Sequence, residues 1–220
     1  MSFNVHILNA SKELTVFETR IINLTSNAEI ILSKHMNFAG FTTDLVIKSG
    51  KYVVPEVGIG AYCVNQYEIQ MALDITNDYL LKSFDDNFIA TLAHETHHAC
   101  RESTVGYGKS LFDAMILEGL ACHFEEEIGY KRPVYVEHLQ PDVRQFYLSK
   151  AKIEWSKDTF DYNEWFLGNK QKDMPKWIGY DVGYHLVGLY LQQTHKSAGE
   201  CYDHPSAIIL ELLSDKGYLS

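Results

Sequence analysis

Apolar positions follow two different periods along this chain, and the change of period divides it. Residues 3 to 8, Phe-Asn-Val-His-Ile-Leu, predict a strand. From Ser11 to Met36 the spacing is helical in parts: Leu14, Phe17, Ile21, Ile22 and Leu24, then Ile30 and Ile31. Ser26 and Asn27 interrupt it, so one helix or two fit equally well. From Thr42 the character changes. Asp44 to Lys48 predicts a short strand closed by Ser49-Gly50. In Tyr67 to Leu73, Ile69, Met71 and Leu73 alternate with other residues. Together with Val53 to Val64 this reads as a small antiparallel sheet with glycine-rich turns. Gly58 and Gly60 mark a bulge or a close backbone approach.

Helical spacing returns at Asn77 and runs to Arg101, strongly after about Ser83, the candidate N-cap. Asp85 and Asp86 suit the positive end of that helix. Phe88, Ile89, Leu92, Ala93 and Ala99 bury much of its circumference, which makes it a central helix. A loop over 104–109 leads to a second helix from about Ser110 to Ile128. Pro133 breaks the pattern. Pro141-Asp142 starts another helix, with Val143, Phe146, Tyr147 and Ile153 on its apolar side. Residues 155–176 are aromatic and charged without a period, which predicts short helices and loops. A long helix over Trp177 to Gln193 and a short one over Pro205 to Leu213 complete the chain. The expectation is an α+β fold, a small antiparallel or mixed sheet packed on a helical core, in one domain, residues 1–220. Residues 1–41 support it, 42–128 hold the sheet and two central helices, and 129–220 form a helical lobe.

Composition narrows the function classes. Of 220 residues, 46% are hydrophobic and 22% charged, as in ordinary soluble domains. A formal net charge of −10 argues against nucleic acid, which calls for clustered Lys and Arg. No run of eighteen or so apolar residues predicts a membrane span, and Met1 to Leu14 does not read as an export signal. Cys63, Cys100, Cys122 and Cys201 are widely spaced and are expected to be free thiols. A cytoplasmic location follows as an expectation.

The chemistry sits in Ala93-His94-Glu95-Thr96-His97-His98-Ala99. On a helix, His94 and His98 stand one turn apart on one face and can grip one zinc ion, with Glu95 beside them as a base for a metal-activated water. His97 is given a neutral packing or supporting role. A catalytic zinc keeps three protein ligands and one open position. Glu118 is the best candidate for the third. It shares an apolar helix face with Leu111, Ala114, Met115, Ala121 and Cys122, where an unpaired carboxylate is costly and a cation is one remedy. Arg101 is the alternative partner. Gly119 and Ala121 are small and would let this helix lie close to the histidine helix. The group that orients the ligand imidazoles is open, since Cys122 follows Glu118 by one turn.

These motifs carry a resemblance. An H-E-x-x-H followed about twenty residues later by a helical glutamate resembles the gluzincin metallopeptidases. With Leu117-Glu-Gly-Leu-Ala121 and Gly179-Tyr-Asp-Val-Gly-Tyr184 the chain looks like the zinc-dependent protease family DUF2268 over roughly residues 55 to 195. The resemblance implies a zincin-like fold, one zinc on His94, His98 and Glu118, Glu95 as general base, and a peptide or protein substrate. Tyr180-x-x-Gly183 resembles the segment bearing a transition-state tyrosine in some gluzincin aminopeptidases. Tyr180 is therefore the first candidate to stabilise an oxyanion, with His185 and Tyr184 behind it. Tyr180, Tyr184, Val187 and Leu191 also share one helix face, as a core stripe would. The Gly58 to Tyr62 strand could bind extended peptide by β-addition. The alternative function is a zinc-binding regulatory protein that keeps this scaffold without peptidase activity.

Overall fold

The computed structural model describes residues 2–37, 40–136, 139–157 and 159–219. Strand β1 (Ser2–Leu8) leads into helix α1 (Glu18–Leu32), and strand β2 (Thr42–Ser49) follows. α1 is one helix of 15 residues, and Thr25 and Ala28 beside the Ser26-Asn27 interruption are buried in it. At about 1.5 Å per residue it is long enough to carry the chain back along a strand. β2 therefore starts at the same end as β1 and pairs with it in parallel.

Strands β3 (Ile59–Asn65) and β4 (Glu68–Leu73) form a hairpin, and β4 inserts between β2 and β3. The sheet order is β1-β2-β4-β3, with β2 and β4 parallel and only β3 and β4 antiparallel. Of the two expected arrangements, antiparallel or mixed, the sheet is the mixed one. Period-two alternation marks which face of a strand is buried, but the direction of pairing depends on the crossovers. β3 is left as an edge strand. A Cβ on Gly60 would come 2.3 Å from the Tyr52 carbonyl oxygen, so glycine there admits a close backbone approach. The bulge in this hairpin falls instead between Cys63 and Asn65.

Helix α2 (Asp78–Glu102) begins six residues earlier than Ser83 predicts. Its cap is Asn77, whose side chain accepts from the N–H groups of Tyr79 and Leu80. Ser83 has non-helical dihedrals, φ −136° and ψ 31°, and marks a kink inside the helix. From Leu92 to Arg101 every residue of α2 is buried, so this is a helix enclosed on all sides. Helix α3 (Leu111–Glu127) opens with a capping box. Ser110 accepts from the Asp113 N–H at 3.1 Å, and Asp113 accepts from the Ser110 N–H at 3.0 Å.

Helix α4 (Pro141–Lys152), a short π-helical turn over Asn163–Leu167, and helices α5 (Ile178–Thr194) and α6 (Ser206–Asp215) cover the far side. Gly119 faces α5 rather than α2. A Cβ on Gly119 would lie 2.4 Å from the Gly183 carbonyl oxygen, and one on Gly183 would lie 2.1 Å from that of Met115. The two glycines therefore bring α3 and α5 into backbone contact. No helix among the described residues is long and apolar enough to cross a membrane.

Candidate metal centre

α2 and α3 lie side by side under the edge strand β3 and enclose a cleft of about 260 Å³. His94, Glu95 and His98 line it from α2, Leu117 and Glu118 from α3, and Ala61, Tyr62 and Cys63 from β3. Tyr107, Tyr162 and Tyr180 complete the lining. The fold thus brings together His94, Glu95, His98, Glu118 and Tyr180 from positions far apart in sequence.

His94 Nε2 lies 3.1 Å from Glu118 Oε2, and His98 Nε2 lies 3.4 Å from the same oxygen. Ligands about 2.0–2.1 Å from a tetrahedral zinc stand roughly 3.3 Å from one another, so these separations are those of a zinc coordination shell. The set His94, His98 and Glu118 is fully buried, with its donor atoms within 4.8 Å of one another. Burial alone would raise the Glu118 carboxyl, but the His98 and His94 rings outweigh it and hold Glu118 well below the ordinary carboxylate range. Arg101, the alternative partner, is engaged elsewhere. Its guanidinium donates to the carbonyls of Tyr202 and His204 and to Ser206 Oγ.

A carboxylate that sequence reasoning did not single out orients the first histidine. Glu125 Oε1 lies 2.8 Å from His94 Nδ1 and accepts from the Tyr135 hydroxyl at 2.7 Å. Glu125 stands seven residues after Glu118, two helical turns along the same face, which is the signal that could have found it. The arrangement is the usual one for a ligand imidazole, with the second nitrogen bonded to a carboxylate. Burial lowers the His94 pKa and the two glutamates raise it. The glutamates win, and His94 sits well above an ordinary histidine. His94, Cys122 and Glu125 form a second group with donor atoms close together, but Cys122 is not on the cleft.

Glu95 Oε2 is buried and has no hydrogen-bond partner. Burial raises the Glu95 carboxyl above its ordinary value. His98 and His94 pull it down, and so does a hydrogen bond from the backbone of Cys63 on the edge strand. His98 Nδ1 is likewise without a partner. An orphaned carboxylate oxygen beside two imidazoles and a second carboxylate fits a metal and a water molecule better than it fits a closed protein core. His97 does not line the cleft. Its Nε2 meets the Ala198 carbonyl at 3.2 Å, and burial keeps its pKa well below the ordinary value, so the ring is neutral.

The α5 candidates separate. Tyr180 reaches the cleft and packs against Tyr135, with ring centroids 4.7 Å apart. Tyr184 and His185 do not line it. They border another cavity of about 320 Å³ with Arg132, Arg144 and Asp181. Tyr184 donates to Glu126 Oε1 and stacks on His123 at 3.8 Å. His185 is five residues after Tyr180, which puts it on a different side of the helix and outside the cleft lining. Tyr162 is a further residue that the sequence did not single out. It comes from the aperiodic aromatic segment and donates to Glu118 Oε1 at 3.1 Å.

The sequence model of the family described as Predicted Zn-dependent protease (DUF2268) matches residues 44–211, which takes in every residue of the cleft. Comparison with curated proteins and with solved structures gives no match.

Proposed function

The chain belongs to the DUF2268 family of predicted Zn-dependent proteases, and from that premise we propose that it is a zincin-like metallopeptidase hydrolysing peptide bonds in the α2–α3 cleft. The observation that carries this reading is the orphaned Glu95 Oε2, buried beside a three-donor set with zinc-like spacing. His94, His98 and Glu118 would hold the zinc. Once bound there, zinc supplies Lewis acidity toward a water molecule and a peptide carbonyl.

The chain's own groups do the rest. Glu95 takes one proton from the attacking water at Oε2 and passes it to the departing amine, so the peptide yields a carboxylic acid and an amine, which ionise to carboxylate and ammonium. Burial shifts the Glu95 carboxyl upward in the metal-free protein, the direction of a better proton acceptor. Glu125 and Tyr135 fix the His94 ring. Edge strand β3 offers backbone groups at Ala61 to Cys63, where an extended peptide can add as a further strand. A regulatory zinc protein without activity would have no use for a buried, unpaired carboxylate at Glu95.

The test uses the full chain loaded with zinc, a quenched-fluorescence peptide library, and Glu95→Gln. The proposal expects cleavage by wild type, loss on chelation, and loss in Glu95→Gln at unchanged zinc content. Cleavage by Glu95→Gln at the wild-type rate would rule out the assigned base. Absence of cleavage by zinc-loaded wild type would favour the regulatory reading.

A further inference from the structure

Tyr162 is unusual among the residues of the cleft because it belongs both to the interior and to the surface. Its side chain is 41% exposed, yet its hydroxyl reaches Glu118, a buried carboxylate, at 3.1 Å. The oxygen it meets is Oε1. Glu118 turns its other oxygen, Oε2, toward the two histidines. The ring stacks on Phe166 with centroids 4.4 Å apart and planes 16° apart, and Phe166 packs edge-on against Tyr180 at 5.2 Å. Gly179 makes room for this stack, since a Cβ there would lie 2.7 Å from the Phe166 ring. Tyr180 stands behind Phe166 and lines the same cleft.

We propose that Tyr162 is a catalytic residue of this site, donating its hydroxyl proton in a hydrogen bond to the substrate carbonyl oxygen as negative charge develops there, with Tyr180 as its positioning residue. The inference rests on the peptidase reading above. Three features carry it. The hydroxyl is already in the cleft, within hydrogen-bond reach of a metal-ligand candidate, so a carbonyl held beside Glu118 lies within its range. The ring is partly exposed and lines the cleft, where a bound peptide can meet it. Its acceptor, Glu118, gives up charge when it binds a cation, which weakens its hold on the donor and leaves the hydroxyl available. No bond to Tyr162 forms or breaks. The phenol stays protonated, as an ordinary tyrosine does at neutral pH.

The experiment compares zinc-loaded wild type, Tyr162→Phe and Tyr180→Phe in three measurements. These are steady-state peptide hydrolysis, calorimetric affinity for a phosphinic peptide whose tetrahedral phosphinate mimics the developing oxyanion, and zinc affinity by chelator competition. The expected result for Tyr162→Phe is kcat lower by about 100-fold with KM little changed, as for loss of one oxyanion donor. Phosphinic-peptide affinity should fall by a comparable factor and zinc affinity should hold. Tyr180→Phe should show a smaller fall of the same kind. The proposal is overturned if Tyr162→Phe keeps the wild-type kcat and phosphinate affinity. It is equally overturned if the whole loss follows weaker zinc binding, or if only Tyr180→Phe is impaired. If wild type cleaves no peptide, the peptidase reading fails by itself, and the phosphinate comparison still decides for or against Tyr162. A wild type that does not bind the phosphinate refutes the Tyr162 role as well.

Discussion

Glu125→Gln is the sharpest probe of how the centre is built, because it changes one charge and almost no volume. Glu125 is buried, 2.8 Å from His94 Nδ1 and 2.7 Å from the Tyr135 hydroxyl. Both bonds end on Oε1, so glutamine can keep an acceptor oxygen for both. What it loses is the carboxylate charge that makes His94 the better ligand. A hydrogen bond to a charged group contributes about 1.5–3 kcal/mol, against about 0.5–1.5 for a neutral pair. The difference, about 1–1.5 kcal/mol, corresponds to roughly tenfold in an equilibrium constant. Loss of an orienting carboxylate behind a ligand histidine typically weakens metal binding by about 10–100-fold. Glu125→Gln is therefore expected to raise the zinc Kd by at least about tenfold. Competition with a fluorescent chelator at fixed pH measures it, and circular dichroism checks that the fold is kept. A Kd within about twofold of wild type, with the fold intact, would refute the reasoning that Glu125 tunes the His94 ligand.

Two further predictions follow from the same geometry. Gly183→Ala places a methyl 2.1 Å from the Met115 carbonyl oxygen, so α3 and α5 must move apart. Denaturant unfolding should show a loss of about 1–3 kcal/mol, whereas Gly50→Ala, which meets only Ala72 at an ordinary 3.6 Å, should stay within about 0.5 kcal/mol. In the metal-free protein, His94 sits between two carboxylates and keeps its proton above the ordinary histidine range. A metal requires the neutral ring, so binding near neutral pH releases about one proton and zinc affinity climbs as pH rises toward the His94 pKa. Calorimetry in buffers of different ionisation enthalpy reads the release directly, and zinc binding without proton release at neutral pH would contradict it.

Much of this fold was legible where one period runs long. The two central helices follow from their apolar spacing, and Ser110 with Asp113 marks the start of α3 as a capping pair should. The start of α2 was less legible. Asn77 and Ser83 are both competent caps, and only tertiary packing allows the helix to run through the non-helical Ser83. The direction of pairing in the sheet stayed open between antiparallel and mixed, because a strand's alternation is the same in parallel and antiparallel neighbours. Gly119 announced a close approach but not its partner, which proved to be Gly183.

At the site, the residues that stood out were those that broke a pattern. Glu118 is a carboxylate in an apolar stripe, and the buried ion cluster explains it. Glu125 lies near the end of α3 among Glu126 and Glu127, where charge is ordinary, so its burial was hidden. Tyr162 lies in a segment without a period and becomes informative only when the fold carries it back to Glu118. His185 shows the reverse case. A chemically apt residue beside a motif is turned toward another cavity by the helix that carries it.

The central claim is that one zinc sits on His94, His98 and Glu118. Zinc-edge X-ray absorption on the loaded, untagged protein tests it most directly. The competing buried group, His94, Cys122 and Glu125, contains a thiol. The account predicts nitrogen and oxygen neighbours only, at about 2.0–2.2 Å, with the spectrum unchanged in Cys122→Ala. A sulfur neighbour at about 2.3 Å that vanishes in Cys122→Ala would contradict it.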